Sequence, residues 1–502
     1  MDNPLQCSPQ SRWHPYPELI MDPRLENIRT STRRHFLKKC PLSLGAIAMA
    51  DFASNKVSAA PSGAPLAVKK PMHTAKAKAV IYLHMSGSPP QQDLFDFKPK
   101  LLEYHLKPCP EELIKGERFA FIKGRPVLLG SPHKFTQHGK NGTWISELLP
   151  NFQNAADLVT VIRSMYTKEF NHAPAELFVH TGENRPGYPA IGSWVTYGLG
   201  SPNQNLPGFV VLVSGGTDPT AGKSVWGSGF LPSVYQGVQC RSGAEPIFFV
   251  NNPAGMNPNL RRKSLDSLKE LNEIELQKLG DPETITRIEQ YELAFRMQTA
   301  VPDVMDISRE PKKIIEEYGA TPGTNSFANN CLLARRMIER GTRYVQLFDW
   351  GWDTHGTSAG DDIVNALPRK CKETDRPMTA LLLDLERRGM LDETLVVWGG
   401  EFGRTSMNEA RGGSKFLGRD HHPHCFTTWM AGAGIKRGFN YGSTDELGWN
   451  IAENKVGVHD LQATILHLMG LDPETFSYPY QGLNARLIGP AEGPKILDKI
   501  LA

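Results

Sequence analysis

Short, compact apolar runs recur along this chain, and their spacing limits the fold more than any other feature. They lie at 79–83, 158–162, 209–213, 246–250, 344–348, 395–398 and 426–430, and turn-forming residues bound most of them. Runs of this length, rich in β-branched and aromatic residues, read as strands buried on both sides. Helical patterns with apolar residues three or four apart separate them at 329–341, 378–388 and 459–469, and Gly341 and Gly470 close the first and last. Strands that alternate with helices predict an α/β fold: a doubly wound, mostly parallel sheet with helices on both faces. We expect one large domain over 79–490, with a less regular insertion or cap at about 206–321 and a short tail at 491–502. The charge carried by the helical stretch at 260–297 reads as a solvated helix face.

Composition then narrows the class. With 502 residues, 40% of them hydrophobic, the chain buries a large core, and a net charge of +3 shows no basic face interleaved with aromatics. Nucleic acid is therefore not an expected partner. The 7 cysteines are scattered with no CxxC pair, which argues against a disulfide framework. Near the start, Ser31 Thr32 Arg33 Arg34 His35 Phe36 Leu37 Lys38 reads as a twin-arginine export signal, followed by a weakly apolar stretch at 41–50 and small residues Ser58 Ala59 Ala60. That stretch is too short to span a bilayer. The expectation is a targeting segment at 1–60, a linker at 61–78, Met21 as a candidate start, and an exported protein in the periplasm or beyond with no transmembrane span in its mature part.

Carboxylates and imidazoles gather beside the later strands. Trp352 Asp353 Thr354 His355 Gly356 follows the run at 344–348, and Gly399 Gly400 Glu401 Phe402 Gly403 Arg404 Thr405 follows that at 395–398. Gly418 Arg419 Asp420 His421 His422 Pro423 His424 Cys425 leads into the run at 426–430. Open α/β sheets place their sites at such strand ends. Imidazole with carboxylate is the donor mixture that zinc and similar divalent ions take in hydrolytic centres. Asp353 and His355, two apart, project the same way on an extended chain and so face one ion; the alternative is a loop whose Asp caps a helix. Glu401 is flanked by glycines that let backbone come close to a ligand. Arg404 suits a phosphate, sulfate or carboxylate group, or else pairs with Glu401 or Asp420. Adjacent His421 and His422 do not easily face one centre together, so one is expected to ligate while the other supports it or touches substrate. Asp353, His355, Glu401, Asp420, His421 and His422 are thus the candidate ligands for one or two ions of zinc, manganese or calcium. Asp460, opening an amphipathic helix, reads as a helix-start charge.

These motifs, with Ser88 Pro89 Pro90 Gln91 Gln92 Asp93 Leu94 Phe95 Asp96, Asn171 His172 Ala173 Pro174 Ala175, Thr181 Gly182 and Val458 His459 Asp460, resemble the DUF1501 family of exported bacterial proteins. The resemblance covers about 78–490 and implies an alkaline-phosphatase-like, sulfatase-like fold with metal at the carboxyl ends of its strands. It implies that Asp353 and His355 serve one metal and Glu401 another, although Phe402 stands where relatives place a further histidine. It puts Asn171 and His172 where alkaline phosphatases carry an acid and a serine nucleophile, so His172 becomes a candidate base, ligand or phospho-acceptor. The first-strand acid of relatives is absent, with Asp93 or Asp96 as substitutes, and no Cys-x-Pro-x-Arg sequence supports formylglycine chemistry. Two functions follow as expectations. One is an exported hydrolase of phosphate or sulfate esters, in which a metal-bound water or an unidentified nucleophile attacks an anionic small-molecule or glycan substrate while Arg404 offsets oxyanion charge. The other is a non-catalytic relative that binds an anionic ligand, glycan or protein partner.

Overall fold

In the computed structural model the run at 79–83 grows into a strand, β1 (Ala79–Ser86), whose eight residues are all buried. Successive side chains on a strand point to opposite faces, so burial of every one means that both faces of the sheet are covered. The structure describes residues 65–241, 246–247, 251–253, 255–280, 282–490 and 493–502. The twin-arginine segment, the first four residues of the linker and the last three residues of the run at 246–250 lie outside the described residues.

Eight further strands join β1: β2 (Val159–Tyr166), β3 (Phe209–Ser214), β4 (Val238–Cys240), β5 (Tyr344–Trp350), β6 (Thr394–Gly399), β7 (Phe426–Ala431), β8 (Phe439–Tyr441) and β9 (Val456–Gly457). Their order is β8-β2-β7-β6-β1-β5-β3-β4, with β9 also paired to β2. The pairings are parallel except those of β7, which runs against both β2 and β6. The reversal has a simple cause. No α-helix lies between Gly399 and Phe426 to carry the chain back across the sheet, so β7 re-enters from the rim at which β6 left.

The segment expected to be an insertion from about 206 supplies β3 and β4 to the sheet, which corrects that boundary. Its charged part forms two long helices, α3 (Pro258–Leu279) and α4 (Pro282–Met305), after the earlier α1 (His172–Thr181) and α2 (Ile191–Leu199). Pro258 starts α3 beside the Asn257 side chain, which accepts from the Leu260 N–H, and Gly280 ends it in the left-handed conformation. After a short helix at Lys312–Tyr318, three longer ones follow among the described residues: α5 (Phe327–Glu339), α6 (Ala366–Arg387) and α7 (Val458–Leu468). Helix α6 begins well before the expected 378 because Pro377 and a polar run disguise its buried stripe of Leu367, Lys370, Cys371, Thr374 and Met378. Asp460 accepts from the Gly457 N–H at the start of α7, as a helix-start charge does. Among the described residues no helix is long and apolar enough to cross a membrane.

The register brings the strand ends level at one rim. Ser86 of β1 lies opposite Trp350 of β5, and His84 lies opposite Gly399 of β6. The loops that leave these ends, and the one from β2 into α1, start from the same edge of the sheet.

Candidate metal centre

Each loop at this rim delivers one group to a common point. After β1 the chain turns at Gly87 with φ +102°, and a Cβ there would lie 2.6 Å from the Asp353 amide nitrogen. Only glycine lets this turn pack so closely on the segment that follows β5. That segment brings Asp353 and His355, and α1 begins with His172. A two-residue antiparallel ribbon, Gly403–Arg404 against His421–His422, brings His421. Ligand atoms of His172, Asp353, His355 and His421 all lie within 4.8 Å of one another.

The orientation of the imidazoles says more than their proximity. Nε2 of His355, His172 and His421 stands 2.8, 3.3 and 3.4 Å from Asp353 Oδ1. Each outer nitrogen is engaged elsewhere: His172 Nδ1 with Glu401 Oε1 at 2.6 Å, His421 Nδ1 with the Phe170 carbonyl at 2.7 Å, and His355 Nδ1 with Glu409 Oε2. A carbonyl or an ionised carboxylate only accepts, so every Nδ1 carries the proton and a neutral ring turns its Nε2 lone pair toward Asp353. Three lone pairs aimed at an anionic oxygen repel it unless positive charge lies between them. A divalent cation supplies that charge, and buried outer partners on ligating histidines are the usual accompaniment of a metal. The residues present therefore fit a divalent ion with three imidazoles and one carboxylate.

Protonation answers the same demand without a metal. Burial works to lower the His172 pKa, but bonds to Asp353 and Glu401 outweigh it and raise the value to about 9. His355 is also raised: burial opposes, and Asp353 and Glu409 prevail. His421 goes the other way, to about 4, because burial and the charges of Arg404 and His172 outweigh Asp353. Asp353 is itself held far below the usual carboxylate range, since Arg404 and the imidazoles overcome the cost of burial.

Several expected ligands sit elsewhere. Glu401, fully buried, contacts the outer nitrogen of His172 and accepts from the Gly87 N–H at 2.9 Å, so it orients a ligand and does not join the four. Asp420 accepts from the Phe121 and Ile122 amides at 2.7 and 2.9 Å and from the His421 amide. His422 faces away from His421, its Nε2 against the Trp449 carbonyl at 2.6 Å and its ring 4.0 Å from the indole. Neighbouring residues on a strand point to opposite sides, which separates the pair. Arg404 is fully buried with its donors on the Ser88, Gly87 and Arg419 carbonyls and on Asp353, leaving it no reach for a substrate oxyanion. Asp93 pairs with Arg419, and Asp96 with Lys98 and Thr444, so neither replaces the first-strand acid. His424 lies at the surface beside Glu117.

Sequence reasoning missed Glu409, the aromatic walls and His84. Phe402 packs against His172 and His421 with centroids at 4.9 and 4.6 Å, and Phe121 meets His355 and His421 edge-on at 5.1 and 5.6 Å. A second acidic group, His355 with Glu409 and Asp420, also lies within ligand range. Bonds among its own members and to backbone amides already occupy it. His172, His355, His421 and Asp353, whose Oδ1 also takes Arg404, thus define one candidate ion position.

A family model described as a protein of unknown function, DUF1501, matches residues 77–501. No curated protein matches the chain. Solved structures with some similarity include a protein of the alkaline phosphatase superfamily from Vibrio parahaemolyticus, at 12% identity and TM-score 0.34, over 90% of this chain and 77% of that one. A magnesium-bound variant of TAB5 alkaline phosphatase matches at 12% identity and TM-score 0.33, over 79% of this chain and 99% of that one. The PsFucS1 sulfatase from Pseudoalteromonas sp. matches at 10% and 0.33, over 84% and 73%. Likenesses this distant assign no activity to the chain.

Proposed function

The chain belongs to the DUF1501 family, and from its rim geometry we propose that it is an exported, alkaline-phosphatase-like hydrolase of phosphate or sulfate esters that depends on one divalent ion. The observation that carries this reading is the convergence of three Nε2 lone pairs on Asp353 with every Nδ1 held from behind. Zinc or manganese suits three imidazoles and a carboxylate; calcium, which takes oxygen ligands, does not, and that expectation is dropped.

A divalent ion at this point supplies Lewis acidity toward an ester oxygen and toward water. His172, His355, His421 and Asp353 hold it, while Glu401, Glu409 and the Phe170 carbonyl fix the rings. Arg404 anchors Asp353. Helix α1 starts at His172 and Asn171 makes no side-chain cap, so the His172 and Ala173 amides, Pro174 having none, are offered to an anionic ester group and the positive end of the helix favours it. Phe402 and Phe121 exclude water beside the imidazoles, which strengthens electrostatic contacts there. Export rests on the Arg33 Arg34 leader, and a phosphorylated or sulfated small molecule or glycan is the partner class.

A non-catalytic binding role is the second reading. It is favoured by the absence of a hydroxyl at the start of α1 and by the Arg404 cation already in contact with Asp353. Metal content, followed by a screen of phosphate and sulfate esters with zinc or manganese, separates the two. Hydrolysis by the wild type that Asp353→Ala and His421→Ala abolish supports the enzyme. Equal rates in all three proteins reject the centre, and metal uptake with no turnover of any ester favours binding.

A further inference from the structure

Glu401 has a second oxygen that the metal centre does not use. Its Oε1 takes both the Gly87 N–H and His172 Nδ1, whereas Oε2 makes no hydrogen bond although the residue is fully buried. Behind it, from the middle of β1, stands His84, likewise fully buried, with both ring nitrogens unpartnered and Nε2 3.3 Å from Glu401 Oε2. The ring is wedged by His180, Phe348 and Tyr82, with centroids at 4.5, 5.4 and 6.3 Å, and of the two buried carboxylates that act on it, Glu401 and Glu176, Glu401 is the one in ion-pair contact with Nε2. A buried carboxylate oxygen and a buried imidazole nitrogen that face each other unpaired are each costly, and a small ring rotation pairs them.

We propose that His84 is a positioning residue for the centre: its Nε2–H bonds Glu401 Oε2 and thereby aims Oε1 at His172 Nδ1, which holds His172 Nε2 toward Asp353. The row His172–Glu401–His84 runs from the rim into the sheet and gives the first imidazole a two-step support. The inference rests on the metal-centre reading only for its affinity readout, because the contact itself has an independent signature.

The test uses the full chain, zinc chloride as the probe, and His84→Phe, His84→Gln and Glu401→Gln. Isothermal titration reads zinc affinity, and proton spectra of histidine-labelled protein read the low-field His172 Nδ1–H signal. His84→Phe is expected to weaken zinc at least tenfold, within the range for losing an outer partner of a ligand, and to shift or erase that signal. His84→Gln, whose amide N–H reaches the same place, restores affinity to within about threefold. In the Glu401→Gln background His84→Phe costs less than about twofold, since the path through Glu401 is already cut. Wild-type affinity and an unmoved signal in His84→Phe overturn the proposal, as do additive effects in the double variant. If His84→Phe does not fold, the signal in His84→Gln decides: retained, it supports the contact; lost with zinc affinity unchanged, it refutes it. If the wild type takes up no zinc, the functional reading fails and the Nδ1–H signal alone settles the role of His84.

Discussion

Replacing His421 or His422 by alanine changes neighbouring residues of the same type, and the fold assigns them opposite consequences. His421→Ala removes one of four ligands, and zinc affinity should fall by more than the roughly 10–100-fold that an outer partner costs. His422→Ala leaves all four ligands in place. It removes a buried ring whose centroid lies 4.0 Å from that of the Trp449 indole and leaves the Trp449 carbonyl, which Nε2 meets at 2.6 Å, with only the weak Cys425 thiol donor at 3.6 Å. A stack contributes about 1 kcal/mol beyond its area, a lost hydrogen bond about as much, and the cavity adds to both. Together these predict a destabilisation of about 3 kcal/mol. Denaturant unfolding of metal-free protein and zinc titration at pH 7 measure the two effects. The reasoning is refuted if His422→Ala weakens zinc as much as His421→Ala, or if His421→Ala is the more destabilising in metal-free protein.

Zinc affinity should rise with pH from 7 to about 9, because His172 with a pKa of about 9 holds a proton that competes with the ion; a flat profile contradicts this. Burial pushes His422 down to about 3, so the folded state binds fewer protons there than the unfolded chain, and its stability contribution, complete above about 6.5, is lost as pH falls toward 3. Unfolding midpoints of wild type and His422→Phe across that interval should converge at acid pH. Gly87→Ala strains a φ of +102° and drives a Cβ into the Asp353 amide, so it should cost roughly 1–3 kcal/mol and weaken zinc; tolerance of alanine with unchanged affinity would show that the turn does not position Asp353.

The sheet was legible because apolar runs bounded by turn residues have few other fates. The direction of β7 was not, since it depends on the lack of a crossover helix between Gly399 and Phe426. At the site, Asp353 and His355 were readable from their spacing alone, and the alternation rule told that His421 and His422 would part without saying which would turn inward. Glu409 gave no local signal. It reaches His355 because its own amide bonds the Gly418 carbonyl while Arg419 bonds Thr354, a loop pairing that no strand pattern announces. Glu401 was visible as an acid past a strand, yet only the position of α1 shows that it touches the far side of an imidazole. His84 was hidden inside an apolar run, where a histidine reads as part of the core.

The charge at the rim is arranged so that one constellation suits protons as well as the proposed ion. His172 and His355 are pushed toward the protonated form and His421 away from it, so proton charge gathers on the imidazoles around Asp353 beside the fixed charge of Arg404. A divalent ion bound there would displace that proton charge, so the net charge would change by less than the charge of the ion. Glu401 is held toward the ionised form by His172 and His84 against the cost of burial, and the Nδ1 bonds to Glu401 and Glu409 lie on the far side of the rings from the ion position. A metal held by His172, Asp353, His355 and His421 would then replace proton charge in a cage that is already anionic. The same balance accounts for Arg404: a permanent cation on Asp353 keeps that carboxylate oriented before the ion arrives.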